Sequence, residues 1–465
     1  MTNEVKLISP VDGRVYAERH YASDQTVAAA LDAAGHAQRA WKRVPLADRA
    51  AYCHAAVDAM LAMREEIAPE LAWQMGRPVR YGGGELRGFE ERARHMIDIA
   101  PAALADIHPD PKSGFRRYIR RDPLGTVFVI APWNYPYLTA VNSIIPALMA
   151  GNAVILKHAT QTLLVGERFE QAFREAGLPP GLFRNLLLDH DQAAHVIGSG
   201  RVHQVNFTGS VEGGRAMERA ASGHFLGLGL ELGGKDPAYV RADADLAFTV
   251  ENLVDGSFFN SGQSCCGIER IYVARKLYSE FVERFAELTR TYVLGDPLDP
   301  ATTLGPMVKA SSADFVRAQI AEAIGHGARA LIDASTFSAD AIGTPYLAPQ
   351  VLIDVDHSMS VMREESFGPV VGIMAVENDE QALQLMNDSA YGLTASLWTR
   401  DLEAAEDLGD AIATGTVYMN RCDYLDPALA WTGVKHTGRG ATLSRVGYET
   451  LTRPKSFHLR HEIKP

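Results

Sequence analysis

Apolar and polar positions along this chain repeat with two different periods, and the change of period divides it. Residues 24–41 are Ala-rich with a helical repeat. Residues 47–75 repeat in the same way until Gly76-Arg77-Pro78 supplies a stop signal. Residues 115–121 interleave arginines with Phe115, Tyr118 and Ile119, which predicts an edge strand, and Pro123-Leu124-Gly125 breaks the chain after it. From there short apolar runs alternate with helical ones. Residues 126–131, 153–157, 182–187 and 204–207 read as buried strands, and 162–176, 192–197 and 211–221 as the helices between them. Alternation of this kind predicts an α/β fold with a mostly parallel sheet covered by helices on both faces.

A second alternating set follows. Residues 246–259, 277–292, 312–326, 381–387 and 402–411 read as helices, and 270–273 and 370–375 as strands, which predicts a second α/β domain. After Arg453-Pro454 the run Ser456-Phe457-His458-Leu459 reads as a terminal strand with little core of its own, suited to pairing with another subunit or to docking locally. A chain of 465 residues agrees with two or three domains, at roughly 150 residues each.

Composition narrows the function classes. Hydrophobic residues make up 47% and charged residues 22%, which is ordinary for a globular protein. The formal net charge of −12 argues against a nucleic-acid partner, because phosphate binding needs clustered cations. The four cysteines, Cys53, Cys265, Cys266 and Cys422, are too few for a disulfide scaffold and form no Cys-x-x-Cys pair, so neither disulfides nor a structural zinc are expected. The start, Met1-Thr2-Asn3-Glu4-Val5-Lys6, has no apolar signal core, and the most apolar stretch, residues 144–156, is interrupted by Pro146, Gly151 and Asn152. The expectation is a cytoplasmic protein without a membrane span.

Four short motifs carry candidate chemistry. In Asn260-Ser261-Gly262-Gln263-Ser264-Cys265-Cys266 a Gly-Gln turn can expose the Cys265 sulfur as a nucleophile, although the two cysteines taken alone read more readily as buried small hydrophobes. Glu231, in Leu230-Glu231-Leu232-Gly233-Gly234-Lys235, is an acid inside an apolar run, costly unless it pairs with a cation such as Lys235 or serves as a general base. Asn134, in Ala131-Pro132-Trp133-Asn134-Tyr135-Pro136 at a strand end, is placed to donate to an oxyanion or simply to turn the chain. Gly209-Ser210-Val211-Glu212-Gly213-Gly214 follows a strand and opens a helix, the arrangement that receives a pyrophosphate, without being a standard G-x-G-x-x-G.

The order Asn134, Lys157, Gly209, Glu231, Cys265 and then Glu364-Glu365-Ser366-Phe367-Gly368-Pro369, with Cys265 34 residues after Glu231, closely resembles the aldehyde dehydrogenase superfamily over nearly the whole chain. The resemblance implies a Rossmann-like NAD(P)-binding domain over residues 1–110 and 124–233, an α/β catalytic domain over 234–447, and small oligomerisation strands at 111–123 and 448–465. It implies that Cys265 attacks an aldehyde and that Asn134, with the Cys265 backbone N–H, holds the thiohemiacetal oxyanion. Glu231 would then activate the water that hydrolyses the thioester to a carboxylic acid. The cofactor would contact Ala131, Pro132, Trp133, Lys157, Thr160, Gly209, Ser210, Glu365 and Phe367. A homodimer or homotetramer is implied, and no metal.

Several positions depart from the family pattern. Lys157-His158-Ala159-Thr160 stands where Lys-Pro-Ser-Glu is common. It is similar to the element of some succinic semialdehyde dehydrogenases. Without a carboxylate at 160 to repel a 2′-phosphate, NADP is expected to be accepted alongside or ahead of NAD. Thr442 stands where many members carry a second glutamate, and Trp431 takes the aromatic place at the substrate entrance. Tyr135 and Trp431 imply an aromatic-lined pocket, and Arg421 is the candidate to grip a carboxylate tail, with Asp423 near enough to neutralise it. Coenzyme A-acylating relatives, which generally lack the Glu231 base, and a silent scaffold are the alternatives.

Overall fold

The computed structural model describes residues 4–463. Residues 1–3, which open the stretch read for a signal core, and residues 464–465, which end the terminal segment, lie outside the described residues. Two mainly parallel sheets organise the chain. The first has six strands in the spatial order Gly438–Arg439, Gly227–Glu231, Gln204–Thr208, Thr126–Ala131, Ala153–His158 and Phe183–Asn185. All its pairings are parallel except that of Gly438–Arg439. Every residue of Thr126–Ala131 and Ala153–His158 is buried, as a strand covered on both faces requires, and this is why the runs read as continuously apolar. The chain builds outward from Thr126–Ala131 to Phe183–Asn185 and then returns to lay Gln204–Thr208 on the other side of Thr126–Ala131. Such a reversal leaves a crevice at the carboxyl ends of the two strands.

The second sheet has seven strands: Arg329–Ala330, Gln350–Ile353, Val370–Val376, Ile268–Ala274, Asp236–Val240, Thr394–Trp398 and Thr416–Met419. Only Arg329–Ala330, at the edge, runs antiparallel to its neighbour. Alternate residues of Asp236–Val240 enter different cores, Ala238 and Val240 one and Tyr239 the other, so this sheet too is covered on both faces. Gly438–Arg439, late in the chain, crosses back to the first sheet and pairs beside Glu231.

The helices depart from the sequence reading in three places. The periodic stretch 47–75 is two helices, Leu46–Ala62 and Arg64–Met75, separated at Met63 (φ −88°, ψ 8°). Glu65 and Glu66 favour a fresh helix N-terminus there. The second helix stops at Gly76, whose φ of 82° lets its N–H close onto Ala72 O. Val79–Ala103 is one long helix. Pro136–Met149 is a helix buried on nearly every side, so it has no polar stripe to betray its period. The strand expected at 182–187 shortens to Phe183–Asn185.

Phe115–Pro123 pairs antiparallel with Thr452–Arg460 along its whole length, with Tyr118 stacked on Phe457 at 4.5 Å and Phe115 on His458 at 4.8 Å between ring centroids. Among the described residues no third strand joins this ribbon. Among them, too, no helix is long and apolar enough to cross a membrane.

Candidate functional site

A cleft of about 760 Å³ opens at the carboxyl ends of Thr126–Ala131 and Gln204–Thr208, walled on the other side by the segment leading into Ile268–Ala274. Cys265, Glu231 and Asn134 all line it.

The nucleophile segment is a strained turn. Asn260 and Ser261 have φ of 54° and 57°, and Gly262 follows at 69°. Left-handed backbone costs roughly 1–2 kcal/mol per non-glycine residue. Buried hydrogen bonds hold the turn: Ser261 Oγ donates to Gly305 O (2.7 Å), and Asn260 Nδ2 to Gln263 O (3.2 Å) and Asn134 O (3.3 Å). Gln263 Oε1 accepts from Val308 N (2.8 Å), and Arg77 Nε donates to Asn260 Oδ1 (3.2 Å). Arg77, itself ion-paired with buried Glu85, also donates to Asn134 O (2.5 Å). Gly234 is required here for a different reason: a Cβ would lie 2.3 Å from Cys265 O.

This turn leaves Cys265 half-buried and facing the cleft while Cys266 is buried. Cys266 Sγ and Ser264 Oγ donate to Asp423 Oδ1 at 2.9 and 3.0 Å. Its hydrogen bond to Cys265 and then burial push the Cys266 thiol well above its ordinary value, so it stays protonated. Burial pushes Asp423 up to about 6. Asn134 Nδ2 donates to Gln263 O (3.1 Å), two residues before Cys265. An amide carries two hydrogens, so a second donor remains for an oxygen bound at the sulfur.

Glu231 ends the strand Gly227–Glu231. The sequence left open a pairing with Lys235; Lys235 instead pairs with Glu269 (2.5 Å), and among the described residues no cation pairs with Glu231. Two hydroxyls hold its carboxylate: Thr442 Oγ1 donates to Oε1 (2.5 Å) and Thr208 Oγ1 to Oε2 (3.1 Å). Thr442 therefore replaces the expected second glutamate with a direct donor. Burial raises Glu231 above its ordinary value, opposed by these hydroxyls and by the charge of Arg92. A smaller cavity of about 240 Å³, lined by Asn206, Ser143 and Thr442 among others, touches Glu231 from behind.

The expected cofactor residues line the same cleft. Ala131, Pro132 and Trp133 leave the first strand, and Gly209 and Ser210 lead into the helix Val211–Ala221, capped by Ser210 Oγ accepting from Gly213 N (3.1 Å). Lys157 and Thr160 lie at the end of the neighbouring strand, and burial lowers the Lys157 ammonium below its ordinary value. Glu365 Oε1 accepts from Gly234 N (2.9 Å), and burial pushes its carboxyl up to about 7. The Phe367 ring meets Trp133 edge-on at 5.7 Å.

Tyr135 and buried Trp431 also line the cleft. Arg421 does not. Asn420 and Asp423 take φ of 53° and 47°, and the loop they bend turns Asp423 inward and leaves Arg421 exposed, its guanidinium 3.5 Å from the centre of the Tyr424 ring. Sequence reasoning missed Arg92 and Asn142, both buried and both in the cleft. A polar residue inside the apolar run 140–150 was the available signal for Asn142. Arg92 gave none, since the same helix carries several arginines.

Known proteins resemble the chain along its whole length. The model of the aldehyde dehydrogenase family matches residues 1–457. The NAD(P)+-dependent succinate semialdehyde dehydrogenase Sad of Escherichia coli (strain K12) is 32% identical over 440 residues, covering 95% of this chain and 94% of its own. The betaine aldehyde dehydrogenase of Agrobacterium fabrum (strain C58) is 31% identical, covering 97% and 92%. The crystal structure of the Streptococcus pyogenes succinic semialdehyde dehydrogenase in complex with NADP+ superposes with a TM-score of 0.93 at 28% identity, covering 98% of this chain and all of that one.

Proposed function

Since the chain belongs to the aldehyde dehydrogenase family and is an NAD(P)-dependent oxidoreductase acting on aldehydes, we propose that Cys265 is its nucleophile, Asn134 its oxyanion donor and Glu231 its base. The observation that carries this reading is that the three side chains meet in one cleft while Glu231 keeps no ion pair among the described residues. The Cys265 thiolate adds to the aldehyde carbon, and the oxygen takes the negative charge between the Asn134 amide and the Cys265 backbone N–H. When bound, the nicotinamide supplies the acceptor for the hydride that this carbon loses, leaving a thioester on Cys265. Glu231 removes a proton from water, the hydroxide attacks the thioester carbonyl, and the acid departs as the thiolate returns. A retained base supports hydrolysis over transfer to coenzyme A.

The chain's own residues fit the dinucleotide. Ser210 caps a helix whose N-terminus favours the pyrophosphate. Lys157 has no carboxylate within ion-pair distance among the described residues, and Thr160 brings no negative charge beside it, which supports acceptance of NADP. Glu365 would hold the nicotinamide ribose, and Phe367 with Trp133 would flank the ring. Residues 1–110 and 124–233 act as the cofactor domain and 234–447 as the catalytic domain. The ribbon of Phe115–Pro123 and Thr452–Arg460 joins subunits into a dimer or tetramer, since a two-stranded ribbon is marginal alone. The protein works in the cytoplasm, where free cysteines persist.

The experiment is an aldehyde panel followed at the absorbance of the reduced nicotinamide, with both cofactors. Cys265→Ala abolishes the signal and Cys266→Ala keeps it, with NADP used at least as well as NAD. Undiminished activity in Cys265→Ala refutes the assignment.

A further inference from the structure

The helix Val79–Ala103 drives one cation into the cleft. Arg92 is 7% exposed, and its Nη1 donates to Leu138 O at 2.7 Å. Among the described residues no carboxylate lies within ion-pair distance of it, in contrast to the buried guanidinium of Arg77, which has Glu85. A buried, unpaired charge is costly unless something else completes it. Leu138 sits one helical turn before Asn142, so Arg92 reaches the stretch of helix that carries Asn142, and both residues line the cleft. Asn142 is 2% exposed, and neither its Nδ2 nor its Oδ1 has a hydrogen-bond partner. One wall of the substrate cleft thus carries a guanidinium that has a backbone acceptor but no paired carboxylate, and an amide with no partner.

The acids of the cleft do not complete them. Glu231 feels the Arg92 charge without pairing with it and already accepts from Thr208 and Thr442, and Glu365 accepts from Gly234 N. Asp423 Oδ1 accepts from Ser264 and Cys266, Glu91 accepts from Tyr424 OH (2.7 Å) and is exposed, and Asp255 is exposed. We propose that Arg92 and Asn142 form a subsite for a carboxylate carried by the aldehyde substrate, the role that the sequence suggested for Arg421. This rests on the cleft being the aldehyde site. A guanidinium offers two parallel N–H groups to a carboxylate, and the Asn142 amide adds a third donor that has no partner within the protein. Substrates of this enzyme are therefore aldehyde acids, and the matched neutral aldehydes are poor ones.

The test compares kcat/KM for succinic semialdehyde against butanal, and for 4-carboxybenzaldehyde against 4-methylbenzaldehyde, in the wild type and in Arg92→Met, Arg92→Lys and Asn142→Leu. The wild type favours at least one carboxylated member by about tenfold or more. Arg92→Met lowers that substrate by about 10²-fold, mostly through KM, because truncating one partner of a desolvated charge pair is expensive. Arg92→Lys recovers part of the loss and Asn142→Leu shows a smaller one. All rates are compared above the acid limb set by Glu231, whose proton affinity the loss of the Arg92 charge raises; there the neutral aldehydes change by about threefold or less, which also reports that the variants fold. Equal use of both members by the wild type, or equal loss on both in Arg92→Met, overturns the subsite while the aldehyde dehydrogenase reading stands. No reduced cofactor from any aldehyde would overturn both.

Discussion

The loop that carries Cys265 is fastened by a closed set of buried hydrogen bonds, whereas Glu231 across the cleft is held by two threonine hydroxyls and no ion pair among the described residues. On the first wall Asn260 bridges Arg77, Asn134 and Gln263, so the sulfur and the oxyanion donor are positioned by one network. On the second wall burial keeps the proton affinity of the carboxylate high, and the two hydroxyls and the charge of Arg92 offset it only in part. Glu269 makes the contrast sharper. It lies just after Cys265 in sequence and is also buried, but its ion pair with Lys235 and the N–H groups of Ser366 and Phe367 commit it to structure. A nucleophile attacking a bound carbon gains from fixed geometry, and a base gains from a tunable proton.

Three substitutions probe the two walls. The largest effect is expected at Asn260. Asn260→Ala removes the bridge and also places alanine at a φ of 54°, while Asn260→Gly removes the bridge but relieves the backbone. If the network positions the sulfur, both slow the first hydride transfer by about 10²-fold in stopped-flow absorbance. Recovery in Asn260→Gly would mean that backbone strain alone sets the loop. Thr442→Val comes next. It deletes a donor that lowers the Glu231 pKa, so that pKa rises further. Glu231 works ionised, and the acid limb of the kcat profile moves to higher pH. The loss is about threefold to tenfold below the limb and small above it. An unmoved limb would detach Glu231 from the rate.

The same contrast explains what the sequence disclosed. Glu231, Cys265 and Asn134 each sit in a short motif beside a strand end, where local spacing already announces a turn and a side chain directed into the cleft. The alternation of apolar runs disclosed both parallel sheets for the same local reason. The supports of the nucleophile are not local: Arg77 with nearby Glu85, Asn134 and Asn260 come from three distant stretches and meet only after folding. Arg421 misled because sequence proximity to Asp423 says nothing about which side of a bent loop each occupies. Pro136–Met149, with no polar stripe, could not show that it sets Asn142 next to Arg92. The break at Met63 was hidden because the apolar repeat runs straight across it.

The central claim is that bond formation at Cys265 and hydrolysis at Glu231 are separate steps run by separate walls. Glu231→Gln keeps the size of the side chain and removes the base. Mixed rapidly with a good aldehyde substrate and saturating NADP, that variant should release a burst of about one NADPH per subunit at near the wild-type rate and then nearly stop, with steady turnover down about 10³-fold. Sustained turnover close to the wild-type rate, or loss of the burst itself, would contradict the account.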